Sequence, residues 1–118
     1  MPLSSTYTKT ITIPASVIDE NGHVNNVVYV QWMQDIAVEH YASIGGIEAQ
    51  GPDATWVIRE HRIEYLLPAF AGEEIEIRTW VENIRRVRSL RKYEFVRKAD
   101  GKILVKGETD WVFVDAKN

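Results

Sequence analysis

Two periods divide the chain. Residues 9–13 alternate polar and apolar (Lys9, Thr10, Ile11, Thr12, Ile13), as a half-buried strand does, and Pro14 limits pairing beyond them. From Asn25 or Asn26 to Gly45-Gly46 the period lengthens. There Gln31, Asp35, Glu39 and Ser43 recur every fourth residue as one narrow polar stripe. Tyr29, Val30, Trp32, Met33, Ile36, Ala37, His40, Tyr41 and Ile44 occupy the rest. This predicts a helix of about five turns, opened by an asparagine cap and closed by glycine. It is apolar over most of its circumference, so other elements must wrap it. Residues 55–66, 74–81, 90–97 and 103–114 are rich in β-branched and aromatic side chains, and Ile75, Ile77, Thr79 and Val81 alternate cleanly. Asp100-Gly101 stands between the last two strands as a type I′ hairpin signal, a turn in which both central residues have positive φ. One strand, one helix and four strands predict an α+β domain over residues 1–118, a curved antiparallel five-stranded sheet folded around one long helix. Apolar residues of the last strand fall on both phases, Trp111 and Phe113 against Val112 and Val114. Part of the outer face is therefore expected to be covered by a second copy in a two-fold dimer.

Composition narrows the chemistry. A chain of 118 residues can bury a core without disulfides or a structural metal. With no cysteine it has no thiolate nucleophile and no Cys-based zinc site. The start, Met1-Pro2-Leu3-Ser4-Ser5-Thr6, lacks the basic and apolar regions of a signal peptide, and no run of about 18 apolar residues offers a membrane span. The expectation is a soluble, unprocessed, cytoplasmic protein. A net charge of −3 argues against nucleic acid as partner. Seven of the fourteen basic residues nevertheless fall between residues 78 and 97: Arg78, Arg85, Arg86, Arg88, Arg91, Lys92 and Arg97.

The densest polar cluster is Asp19-Glu20-Asn21-Gly22-His23-Val24-Asn25-Asn26, just ahead of the helix. A helix start carries unpaired N–H groups and about half a positive charge, which stabilise the oxygen of a polarised carbonyl. An acid beside it completes a hydrolytic site. Asp19 can attack an acyl carbon or orient a water, while Asn21 and His23 hold water or carbonyl. The plain alternative is that Asp, Asn and Gly here are ordinary turn and capping residues. A calcium loop is excluded, since Gly22 falls at the fourth place and Val30 at the twelfth. His23, His40 and His61 lack the spacing of a helical zinc motif, so no metal is expected, and His40 reads as a core histidine with one satisfied nitrogen. No G-x-S-x-G or phosphate-cradling loop occurs. Glu60 and Glu64 are candidates for a second carboxylate, but glutamate on the polar phase of a strand is usually solvated.

The run Asp19-x-Asn21-x-His23-Val24-Asn25-Asn26-x-x-Tyr29 resembles the signature of hot-dog-fold thioesterases of the 4-hydroxybenzoyl-CoA thioesterase type. The likeness continues in Ile63-x-Tyr65-x-x-Pro68-Ala69, Gly72-Glu73-Glu74-Ile75, Arg88-Ser89, Asp100-Gly101 and Trp111-Val112-x-Val114-Asp115. It implies a hot-dog fold and hydrolysis of an acyl-CoA thioester, with coenzyme A entering only as part of the substrate and no further cofactor. It also implies Asp19 as catalytic carboxylate, the backbone N–H of Asn26 as oxyanion donor, and a homodimer or homotetramer with sites at the dimer interface. The Asp19, Asn21 and His23 spacing is also similar to plant acyl-acyl-carrier-protein thioesterases, although Leu66-Leu67-Pro68-Ala69 stands where that group has an acid and a cysteine. An acyl-carrier-protein thioester is thus the rival substrate, and a silent acyl-binding or assembly domain the rival of another class. Arg85, Arg86, Arg88, Ser89 and Arg91, around the third turn between strands, are candidates to bind coenzyme A phosphates, or else discourage edge aggregation. Trp32, Trp56, Tyr65 and Phe70 join Tyr29 as candidate lining of an acyl pocket.

Overall fold

A computed structural model describes residues 5–115; Met1 to Ser4, part of the segment read for a signal peptide, lie outside the described residues. Strand β1 spans Tyr7–Thr12, helix α1 Asn26–Ser43, helix α2 Gly46–Gln50, and strands β2 to β5 Ala54–Tyr65, Glu74–Arg85, Arg88–Arg97 and Ile103–Asp115. One antiparallel sheet in the order β1-β3-β4-β5-β2 carries α1 on its inner face. The α+β arrangement read from the sequence is therefore the one observed. Bulges between Ile58 and Glu60 on β2 and between Val81 and Asn83 on β3 add the local twist that curls one end of the sheet.

Helix α1 begins where the side chain of Asn25 accepts the N–H of Val27 at 3.0 Å. It ends as Gly45 turns left-handed, φ 75°. Tyr29, Met33, Ile36, Ala37 and His40 are its buried face, and they meet Ile75, Ile77, Tyr93, Phe95 and Val105 of the sheet. The approach is closest at Gly107, where a Cβ would stand 2.9 Å from Met33 Cε. The polar stripe is used as its spacing suggests: Gln31 donates to Asp35 and Glu39 pairs with Lys9 of β1. The wrapping is less complete than the sequence implied, because Val27 and Val38 stay exposed, as do Ile44 and Ile47 beyond.

Three local expectations are corrected. The sequence showed no separate α2; Gly45 and Gly46 are a hinge between two helices, and Tyr41 packs so close to Gly46 that no side chain fits there. The third and fourth strands run to Arg85 and from Arg88, leaving a two-residue turn in which Arg86 takes φ 51°. At the last hairpin only Gly101 has positive φ, 72°, so the turn is not type I′. Arg97 and Lys102 close a four-residue loop instead, and Asp100 steadies it by accepting the N–H of Lys102. The outer face of the sheet is largely an array of opposite charges, including Arg62–Glu108 and Arg78–Glu94, and not an apolar surface.

Candidate active site

Between β1 and α1 the chain folds back on itself. Ile18 and Val24 form an antiparallel bridge, and the Asp19 N–H donates to the His23 carbonyl at 3.0 Å. The turn they enclose needs a left-handed residue, which Gly22 supplies at φ 85°. Asp19 Oδ1 accepts the N–H of Asn21 at 2.9 Å, an Asx-turn that fixes the carboxylate's rotamer. Val24 is buried and donates its N–H to the Ala69 carbonyl, while the Asn25 N–H reaches the Val17 carbonyl. The loop is thus pinned at both ends directly before the helix.

At the helix entrance Asn25 satisfies Val27 through its side chain and Val28 through its carbonyl. The N–H of Asn26 has no acceptor among the described residues. It carries the partial positive charge of a helix start and is available to a carbonyl oxygen. Tyr65 caps the other side by donating its hydroxyl to the Asn26 carbonyl at 3.1 Å. His23 sits edge-on to Phe70, ring centroids 6.5 Å apart. Asp19, Asn21, His23 and Asn26 therefore belong to one pinned loop and helix start, with Tyr65 and Phe70 alongside. Asp19 and His23 are half-buried, while Asn21 and Asn26 are exposed.

Tyr29 lies differently. It is 3% exposed, edge-on to Trp32, Tyr65 and Phe95, and burial, then the Tyr65 and Glu73 charges, push its phenol up to about 12. Its ring is part of the core, behind the site. The expected phosphate group is also divided. Arg86 is exposed in the turn, whereas Arg88 is tied to Asp110, which also receives Arg59 at 2.8 Å. Hydrogen bonding from Arg88 holds the Asp110 carboxyl below its usual range. Ser89 is buried yet lines one cavity with Arg85 and Arg88, whereas the buried Arg91 faces the inner side of the sheet, away from Arg86.

Arg91 is what the sequence reading misplaced. Ser89, Arg91, Tyr93 and Phe95 share one strand phase, and a cation in that company is an inside residue. Arg91 Nη1 donates to His40 Nδ1 at 2.9 Å and to Thr79 Oγ1 at 3.2 Å. Burial, with Arg91 second, lowers the basicity of His40, which stacks on Tyr7 and stays neutral with its proton on Nε2. Cavities of about 300 to 320 Å³ lie away from the Asp19 loop, and the apolar one sits beneath the C-terminal half of α1.

A family model described as the thioesterase-like superfamily matches residues 13–118. The chain belongs to that superfamily. Membership supports thioester hydrolysis as the activity of this thioesterase-like protein. Solved structures agree on the fold. A 1,4-dihydroxy-2-naphthoyl-CoA thioesterase from Synechocystis superposes with a TM-score of 0.82 at 17% identity, over 94% of this chain and 83% of that one. A probable thioesterase from Escherichia coli gives 0.83 at 17% identity, over 93% and 84%. A 12:0-ACP thioesterase from Umbellularia californica gives 0.86 at 17% identity, over 95% of this chain but 44% of that one. No curated protein matches the thioesterase-like chain in sequence. No helix among the described residues is long and apolar enough to cross a membrane.

Proposed function

We propose that the protein hydrolyses an acyl-CoA thioester at the entrance of α1, with Asp19 as the reacting carboxylate. The observation that supports this most directly is the pinned turn. It holds Asp19 one bridge away from a helix start whose first N–H, at Asn26, has no acceptor among the described residues. A thioester carbonyl oxygen bound at that N–H gains its donor and the helix field. Asp19 takes a proton from a water that adds to the acyl carbon and passes it to the departing thiolate; or it adds to the carbon itself, forming a mixed anhydride that a water cleaves after the thiolate has left. The tetrahedral oxyanion then collapses and the carbon–sulfur bond breaks. The thiolate leaves with coenzyme A, and the released acid carries the new oxygen. Asn21 and His23 line the approach and hold the water or the carbonyl.

Coenzyme A is supported as carrier by the fold's likeness to a Staphylococcus aureus protein solved in complex with CoA. In this reading the exposed Arg86 meets its phosphates, while Arg88, already paired, contributes less. Asn21 and Asn26 are open to solvent on one chain, so the proposal includes a homodimer that covers the loop. The edge strand β2, with Val57 exposed and its outer hydrogen-bonding side unoccupied in this sheet, is the surface through which a second copy joins. A dimer of dimers and a cytoplasmic setting extend the same proposal. Free-thiol release from a panel of aromatic and aliphatic acyl-CoA esters tests it. Turnover of at least one class is the expected result; acyl binding with no thiol release from any member contradicts it and favours a silent acyl-binding domain.

A further inference from the structure

The cavity at the far end of α1 has the wrong chemistry for simple packing space. Its volume is about 300 Å³, at the lower end of ordinary ligand pockets. Val38, Tyr41, Ile44, Ile47, Trp56 and Trp111 give it mainly apolar walls, yet Ser89 and Arg91 also line it, only 8% and 6% exposed. The two Nη1 protons of Arg91 go to His40 and Thr79. Its Nε and Nη2 find no protein acceptor among the described residues, and no carboxylate there pairs with it. Tyr93 Oη and Trp111 Nε1 lie next to each other and to Thr109, and no anion is among them. The cation is thus buried without an anion. Burial of such a group is costly until a charged acceptor arrives, and a guanidinium edge matches a carboxylate with two parallel bonds.

We propose that this cavity binds an apolar carboxylate, whose acid group meets Arg91 Nε and Nη2 while its hydrocarbon body fills the space beneath α1. A free carboxylic acid offers this chemistry, and the site stands apart from the Asp19 loop and from the thioesterase reading.

Calorimetric titration of the full chain with decanoate and with decanol tests the site. Decanoate is expected to bind about tenfold or more tighter than decanol, the size of a hydrogen-bonded charge pair. Arg91→Met should bring the two to within about twofold. Should that variant fail to fold, Val38→Trp at the exposed rim should weaken decanoate by obstruction while leaving the fold intact. Equal binding of both ligands by the parent protein, or decanoate affinity unchanged in Val38→Trp, overturns the proposal.

Discussion

Replacing Asn25 by alanine removes one hydrogen bond and tests how the fold holds the helix entrance. The Asn25 side chain accepts the Val27 N–H at 3.0 Å, and without it that amide loses its protein acceptor. The position is exposed, so water partly compensates and the loss should sit near the middle of the usual cap range, about 1 kcal/mol. Unfolding entropy of about 2.1 cal/mol/K per residue gives about 0.25 kcal/mol/K for a domain of this size, so melting should fall by about 4 °C. Asn25→Asp keeps the acceptor and adds a charge that favours a helix N-terminus, so it should melt at or slightly above the parent temperature. Circular dichroism on the three proteins measures both effects. An alanine variant as stable as the parent, or an aspartate variant as unstable as the alanine one, would refute the capping argument. Thiol release in the same proteins should follow the order of stability, since a frayed first turn misaims the Asn26 N–H.

Two further outcomes follow from packing and burial. Gly107→Val should destabilise by about 1 to 3 kcal/mol, because its Cβ would meet Met33 at 2.9 Å; urea unfolding checks it, and a pairing with Met33→Ala should recover part of the loss. His40 has a folded-state pKa below its ordinary value near 6.5, so the unfolded chain binds the extra proton first on acidification. Its contribution is full above that value and is lost as pH falls from about 6.5 through the folded pKa, with His61, also lowered by burial, acting in the same sense. Denaturant midpoints between pH 8 and pH 5 should therefore fall on the acid side, less so in His40→Gln, and a flat profile would contradict the neutral pairing with Arg91.

The strands and long helix were legible because their periods are local: every second residue of β3 and every fourth polar residue of α1 report their own faces. Asn25 and the loop before it were legible for a similar reason, since cap, turn and glycine act within a few residues. What escaped depends on distance. Gly45-Gly46 looks like a helix end in either case, and only Tyr41 packing over Gly46 shows that a second helix follows. Asp100-Gly101 suits two turn types, and the Arg97–Lys102 pairing across the strands chose the longer loop. Arg91 was hidden by its neighbours in sequence, a run of exposed arginines, although its true company of Ser89, Tyr93 and Phe95 lies on alternate residues. Tyr29 belongs to the same motif as Asp19, yet helix phase turns it into the core.

Asp19→Asn is the sharpest test of the mechanism. Asparagine keeps the oxygen that accepts the Asn21 N–H, so the turn and the melting temperature should be preserved while the carboxylate is lost. With an acyl-CoA ester that the parent hydrolyses, kcat should fall by about 10² to 10⁴, the usual contribution of proton transfer by a placed side chain. A correctly folded Asp19→Asn protein that releases thiol at the parent rate would contradict the account.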